Sequence, residues 1–244
     1  MCRPFHLFTS EQHSQHRCEQ YTKDMEQPKL IIFASGTKDS GGSGFENLAT
    51  SKDLDAEIVA VVSNHEQGGV RERAERLGIP FVYMPPPYDA EHYSSILSYF
   101  AKASKDKQNT RTMWVALSGW LKHVVGLDPA KTFNIHPALL SQLHHRFGGP
   151  GMYGHHLHEA VKAAFDAGEI TESGFTMHFV TDAVDGGPVF FEHHVPLEKG
   201  MSADDIAAAV NRAEHEWQPK ITNMVVHGEI RWDGKDPASL VVPT

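Results

Sequence analysis

The chain has 244 residues, long enough for one sizeable α/β core and too long for a disulfide-stapled mini-protein. Its 31 acidic residues against 22 basic ones give a formal charge of −9, a surface that repels a phosphate backbone and argues against nucleic acid as a partner. No apolar run is long enough to span a bilayer. The first 25 residues lack both the apolar stretch and the small-residue cleavage site of a secretory signal. Two cysteines, Cys2 and Cys18, both fall in a polar N-terminal stretch, so a structural disulfide is not expected and a reducing, cytoplasmic setting fits.

Residues 1–28 are poor in aliphatic side chains and read as a disordered or loosely packed extension, within which Met25 offers an alternative start. Residues 29–244 then read as one domain. A first strand is expected at Lys29–Ser35, opening into the glycine-rich run GTKDSGGSG and a helix from Phe45. A second strand follows at Glu57–Ser63, a helix near Val70–Leu77, a short strand at Phe81–Met84, and a helix from Ala90 to about Lys105 whose apolar residues Tyr93, Ile96, Leu97 and Phe100 recur at helical spacing. Further strands are expected at Thr112–Leu117 and Thr132–Ile135. This alternation predicts a Rossmann-like, mostly parallel sheet with helices on both faces.

The second half changes character. A helix over His155–Ala167 leads to two strand-like runs, Thr176–Thr181 and Val189–Pro196, joined by DAVDGG, which reads as a tight reversal and predicts antiparallel strands. A long helix over Ala203–Val226 carries the core stripe Ile206, Val210, Ala213, Trp217, Ile221 and Met224. After Gly228 the chain reads as a polar tail.

Three segments carry chemistry. The glycine-rich turn that opens a helix aims free N–H groups and the positive end of the helix dipole at one point, which makes an anion site. It is neither a dinucleotide fingerprint, since Asn47 stands where the third glycine belongs, nor a Walker loop. In TFNIHPALL, Asn134 and His136 sit two apart at a strand end, so both side chains lie on one side, and Pro137 ends the strand there. In HFVTDAVDGGP, Asp182 and Asp185 lie on a connection with Gly186 and Gly187. An amide donor, an imidazole and a carboxylate beside an anion site are the groups needed for acyl transfer to an amine.

These stretches, IIFASG with GGSGFENL, ALSGWL, FNIHPALL, PGMYGHHLHEAV, HFVTDAVDGGPVFFEHHVPL and AEHEWQP, resemble the glycinamide ribonucleotide formyltransferases and occur in that family's order from about Lys29 to Gly228. The resemblance implies transfer of a formyl group from 10-formyltetrahydrofolate, as co-substrate, to the amine of glycinamide ribonucleotide. It also implies a monomer or homodimer that needs neither a metal nor a covalent intermediate. It assigns Asn134, His136 and Asp185 to catalysis, with Asp185 holding His136 in its charged form. Gly42, Ser43 and Gly44 are implied to bind the phosphate and Glu214 the ribose. Trp120, Leu121, Lys122 and Val124 are implied to wall the folate pocket, and the backbone of Thr181, Asp182, Ala183 and Val184 through to Asp185 to meet the pterin.

The sequence departs from the family at the insertion TKDSGG, at Lys122 in place of an arginine, and at Gly44 where many members carry asparagine. Glu91 falls near the place of an arginine that some members use on phosphate. Within the superfamily the alternative is a formyltetrahydrofolate hydrolase; outside it, a non-catalytic folate- or nucleotide-binding module. The histidine runs His144/His145, His155/His156/His158 and His193/His194 invite a metal reading, but their spacing is not that of a helical zinc pair, and packing at the surface and folate rim is expected instead.

Overall fold

The computed structural model describes residues 27–37, 41–103 and 113–244. The expected N-terminal extension up to residue 26, both cysteines, the loop residues Lys38, Asp39 and Ser40, the expected end at Lys105 of the helix from Ala90 and the expected strand start at Thr112 lie outside them. Among the described residues no helix is long and apolar enough to cross a membrane.

Among the described residues seven strands form one sheet: β1 (Lys29–Phe33), β2 (Glu57–Ser63), β3 (Phe81–Tyr83), β4 (Met113–Ser118), β5 (Thr132–His136), β6 (Glu172–Phe179) and β7 (Val189–Pro196), in the order β3-β2-β1-β4-β5-β6-β7. The pairings from β3 through to β5 are parallel, while β6 runs antiparallel to both β5 and β7. Alternation along the strands divides the core. Leu30 and Ile32 face α1 (Ser43–Thr50), α2 (Gly69–Leu77), α4 (Gly154–Asp166) and α5 (Ala203–Val226), whereas Ile31 and Phe33 face α3 (Ala90–Ala103) through Tyr93, Ile96, Leu97 and Phe100. Helices therefore cover both faces, as the strand-helix alternation predicts.

The chain winds outward from β1 to β3, then crosses back so that β4 lies on the other side of β1. At such a switch point the connections leave the carboxyl ends of adjacent strands in opposite directions and a crevice opens between them. The loops after β1, β4 and β5 all border it.

Two expectations need correction. The connection after β6 is not a tight reversal: β6 ends at Phe179, and residues 180–188 fold back over it so closely that a Cβ on Gly187 would overlap the Phe179 carbonyl. The chain after Gly228 is not simply a polar tail, because Ile230 and Trp232 are buried in the main core and Arg231 bridges to Val241. The long helix matches its expected bounds. Its start is held by a capping box between Ser202 and Asp205, and Ile206, Val210 and Ile221 face the core with Ala213, Trp217 and Met224 packed against it.

Candidate active site

A cavity of about 540 Å³ opens at the switch point, of a size that suits a small-molecule site. One end is the start of α1. Gly41 and Gly42 have positive φ, Gly42 sits at the N-cap without a side-chain cap, and the first turn leaves the N–H groups of Ser43 and Gly44 facing the cavity. The loop is anchored from behind. Arg73 Nη1 donates to the Gly41 carbonyl at 2.7 Å, and its Nε meets Glu46 Oε2 at 2.8 Å. Arg76 takes the other oxygen of Glu46 at 2.7 Å. These two cations outweigh the burial of Glu46 and hold its carboxyl below the usual value, so the one acid in the first turn of α1 is neutralised.

The middle of the cavity is built on β5 and its antiparallel neighbour. Register places Asn134 opposite His178, and Asn134 Nδ2 lies 3.2 Å from His178 Nε2. His178 Nδ1 donates to the Phe179 carbonyl at 2.8 Å, which leaves Nε2 as the acceptor for Asn134. His136 is oriented in the same manner: its Nε2 donates to the Phe147 carbonyl at 2.7 Å, and its Nδ1 faces Asp185 Oδ2 at 3.7 Å. The other oxygen of Asp185 is 3.6 Å from His178 Nε2, and Gly149 N–H donates to Oδ2 at 2.9 Å. One carboxylate thus stands between two imidazoles, each fixed in its tautomer by a backbone carbonyl. Asp185 reaches this place because the folded-back loop holds it at φ 51°, in the left-handed region.

The charges follow from this packing. Burial works against ionisation of Asp185, but the two histidines and the Gly149 N–H prevail and hold its carboxyl below the usual value. For His136 the balance is opposite to the sequence expectation. Asp185 and the Phe147 carbonyl favour the imidazolium, yet burial is the larger effect and lowers the pKa.

The remaining expected residues divide. Glu214 lines the cavity beside the start of α1, accepts from Asn211 at 3.2 Å, and is pushed up to about 7 by burial. Trp120, Leu121, Lys122, Val124, Thr181, Ala183 and Val184 line the opposite end. There Trp120 Nε1 donates to Tyr93 Oη at 3.0 Å, and Lys122 Nζ lies over the Tyr88 ring at 5.5 Å. Asp182 does not line the cavity: its carbonyl accepts from His123 Nε2 and its carboxylate from Gly126 N–H, so both are already engaged. Glu91 is exposed in the first turn of α3, away from the cavity.

Sequence reasoning missed His178, which shows only as an alternating strand residue until the register sets it against Asn134. It also missed Ser118 and Gln218, both buried and both lining the cavity.

The histidine runs are spread out. His155 contacts Glu159 and Asp204, His194 contacts Glu172, and His193 stacks on Phe175. His158 is not at the surface, as expected, but buried against the core face of α4. Among the described residues no group of three His, Cys, Asp or Glu is arranged to hold a metal ion.

Residues 28–222 match the family model described as formyl transferase. The chain is 29% identical over 215 residues to the chloroplastic phosphoribosylglycinamide formyltransferase of Arabidopsis thaliana, covering 84% of this chain and 67% of that protein. It is 30% identical over 220 residues to the Vigna unguiculata protein of the same name, covering 87% and 65%. It therefore spans about two thirds of the length of these plant relatives. Among solved structures it is similar to the phosphoribosylglycinamide formyltransferase of Brucella melitensis, with a TM-score of 0.62, 29% identity, and coverage of 82% of this chain and 96% of that one.

Proposed function

Since the chain belongs to the formyl transferase family, we propose that it transfers a formyl group from 10-formyltetrahydrofolate to the amine of glycinamide ribonucleotide, a step of purine biosynthesis, and that residues 29–244 act as one catalytic unit. The observation that carries this reading is the convergence of Asn134, His136 and Asp185 on the middle of a cavity that has an anion site at one end and an aromatic wall at the other.

The acceptor's phosphate meets the N–H groups of Ser43 and Gly44, and its ribose hydroxyls donate to Glu214. The folate lies against Trp120, Leu121, Lys122 and Val124. Its ring edge meets the backbone of Thr181, Ala183 and Val184. The acceptor amine forms a bond to the formyl carbon, and the formyl oxygen takes up negative charge. Asn134 donates an N–H to that oxygen, and His136, once protonated at Nδ1, donates a second. As the bond from carbon to the folate nitrogen breaks, the proton lost by the amine passes to that nitrogen, with Asp185 holding it in transit. His178, accepting at Nε2, holds the Asn134 amide in its orientation. Lys122 offers the folate a point charge rather than a bidentate fork.

The test is formyl transfer by the purified protein with glycinamide ribonucleotide and a 10-formyl folate. Product formation that requires the ribonucleotide is the expected result. Equal deformylation without the ribonucleotide would make water the acceptor and the protein a hydrolase.

A further inference from the structure

Gly44, the second residue of α1, lies against two side chains from distant parts of the chain. A Cβ built there would overlap Ser118 Oγ, from the end of β4, and stand 3.4 Å from Gln218 Oε1, on α5. The two side chains meet through a bond from Gln218 Nε2 to Ser118 Oγ at 3.2 Å. Both residues line the cavity and both are more than nine-tenths buried, with 7% and 2% of their surface exposed. Buried polar groups are costly unless their hydrogen bonds are complete. Among the described residues the bond between them is the one side-chain hydrogen bond either makes, and Gln218 Oε1 is not sealed away as a fully buried unpartnered atom, so its free capacity opens on the cavity.

Two neighbours define what this pair faces. The unpaired N–H groups at the start of α1 lie on one side, with Glu46 withdrawn from them by Arg73 and Arg76. On the other side is Glu214, four residues earlier on α5 and so about one helical turn, roughly 5.4 Å, from Gln218 on the same face. A phosphate one bond chain beyond a ribose bound at Glu214 therefore falls between Gln218 and α1.

We propose that Gln218, held in place by Ser118, binds the acceptor's phosphomonoester and supplies a side-chain donor beside Gly44. This rests on the reaction assigned above. The chemistry requires only a turn of the Gln218 amide, whose oxygen and nitrogen are nearly the same shape. Ser118 then donates to Oε1, and Nε2 turns toward the start of α1, where it adds an N–H to those of Ser43 and Gly44. The arrangement suits an anion, which accepts from every group presented, and gives no comparable bond to an acceptor lacking the phosphate.

The experiment measures KM for the ribonucleotide and for the folate separately in Ser118→Ala, Gln218→Leu and Gln218→Glu, with thermal melts to confirm folding, and measures binding of ribose 5-phosphate calorimetrically to each protein. The expected result is an increase of about tenfold in the ribonucleotide KM for the first two variants, with the folate KM and kcat within about twofold, and a larger loss for Gln218→Glu, whose carboxylate repels the phosphate. Ribose 5-phosphate binding should weaken in parallel. An unchanged ribonucleotide KM in the folded variants of an active wild type overturns the proposal while the reaction stands. If the wild type fails to transfer but its ribose 5-phosphate binding is weakened by the variants, the reaction is wrong and the phosphate site stands. A wild type that neither transfers nor binds ribose 5-phosphate overturns both.

Discussion

His136 Nδ1 and Asp185 Oδ2 stand 3.7 Å apart, and both are anchored by the same short segment, the imidazole through its far nitrogen by the Phe147 carbonyl and the carboxylate at that same Oδ2 by the Gly149 N–H. The segment is tightly wound just before these anchors, with Leu143, His144 and His145 all at positive φ. The relative placement of this pair is thus set by a single loop.

Asp185→Asn removes the charge that favours the His136 imidazolium while leaving burial, the larger and opposing effect, in place. In the proposed mechanism the active form has His136 protonated, so rate is lost as pH rises through its pKa. The substitution is expected to lower kcat by about 100- to 1000-fold and to move the alkaline limb of the pH profile to lower pH. An alkaline limb unchanged from the wild type would show that the carboxylate does not act through His136.

Arg73 holds the glycine turn by its Gly41 carbonyl and withdraws Glu46 from the start of α1. Arg73→Ala is expected to raise the ribonucleotide KM by about tenfold, since the freed turn and the unpaired Glu46 both work against an anion there. The folate KM should hardly move. Arg73→Lys keeps the charge but not the fork, and should recover only part of the loss.

Burial pushes Glu214 up to about 7 in the folded protein, from 4.5 as its ordinary value. The folded form therefore holds its proton over a range where the unfolded chain has lost it, and stability falls as pH rises from about 4.5 to 7, then levels off. Glu214→Gln removes this cost and is expected to stabilise the protein by about 2 kcal/mol above pH 7, with little effect below pH 4.5. Denaturant melts at pH 4.5 and 8 check the difference. The same variant keeps one amide oxygen but loses the charged, two-oxygen acceptor for the ribose hydroxyls, so its ribonucleotide KM should rise even as its stability improves.

His158 is pushed down to about 4, chiefly by burial and further by the neighbouring His155 and His136, and its Nδ1 has no hydrogen-bond partner. Its folded pKa lies below the ordinary 6.5, so the stability it permits is complete above pH 6.5 and is lost as pH falls toward 4. His158→Leu is expected to reduce the destabilisation between pH 7.5 and 5 by about 2 kcal/mol, measured by urea unfolding. An identical acid response in the variant would place the acid-sensitive group elsewhere.

Local pattern was enough for most of the scaffold. Strand and helix periods, the Asn134-x-His136-Pro137 strand end and the glycine turn before α1 each state their role within a few residues, because side-chain direction and backbone freedom are properties of a short stretch of chain. The long helix was legible to its ends for the same reason, through its apolar stripe and its Ser202 start.

What the amino-acid sequence alone determined, then, is the layered α/β class, the ligand edge of the sheet and the amide, imidazole and carboxylate that meet there. Only the tertiary structure decided which groups share the site with them. The pairing of His178 with Asn134 depends on the register of two antiparallel strands, the return of Asp185 on a loop folded back over Phe179, and the meeting of Gly44, Ser118 and Gln218 on the packing of α1, β4 and α5 around one cavity. The sign of the His136 shift was likewise out of reach, because a neighbouring carboxylate can be guessed from a motif but burial belongs to the whole fold.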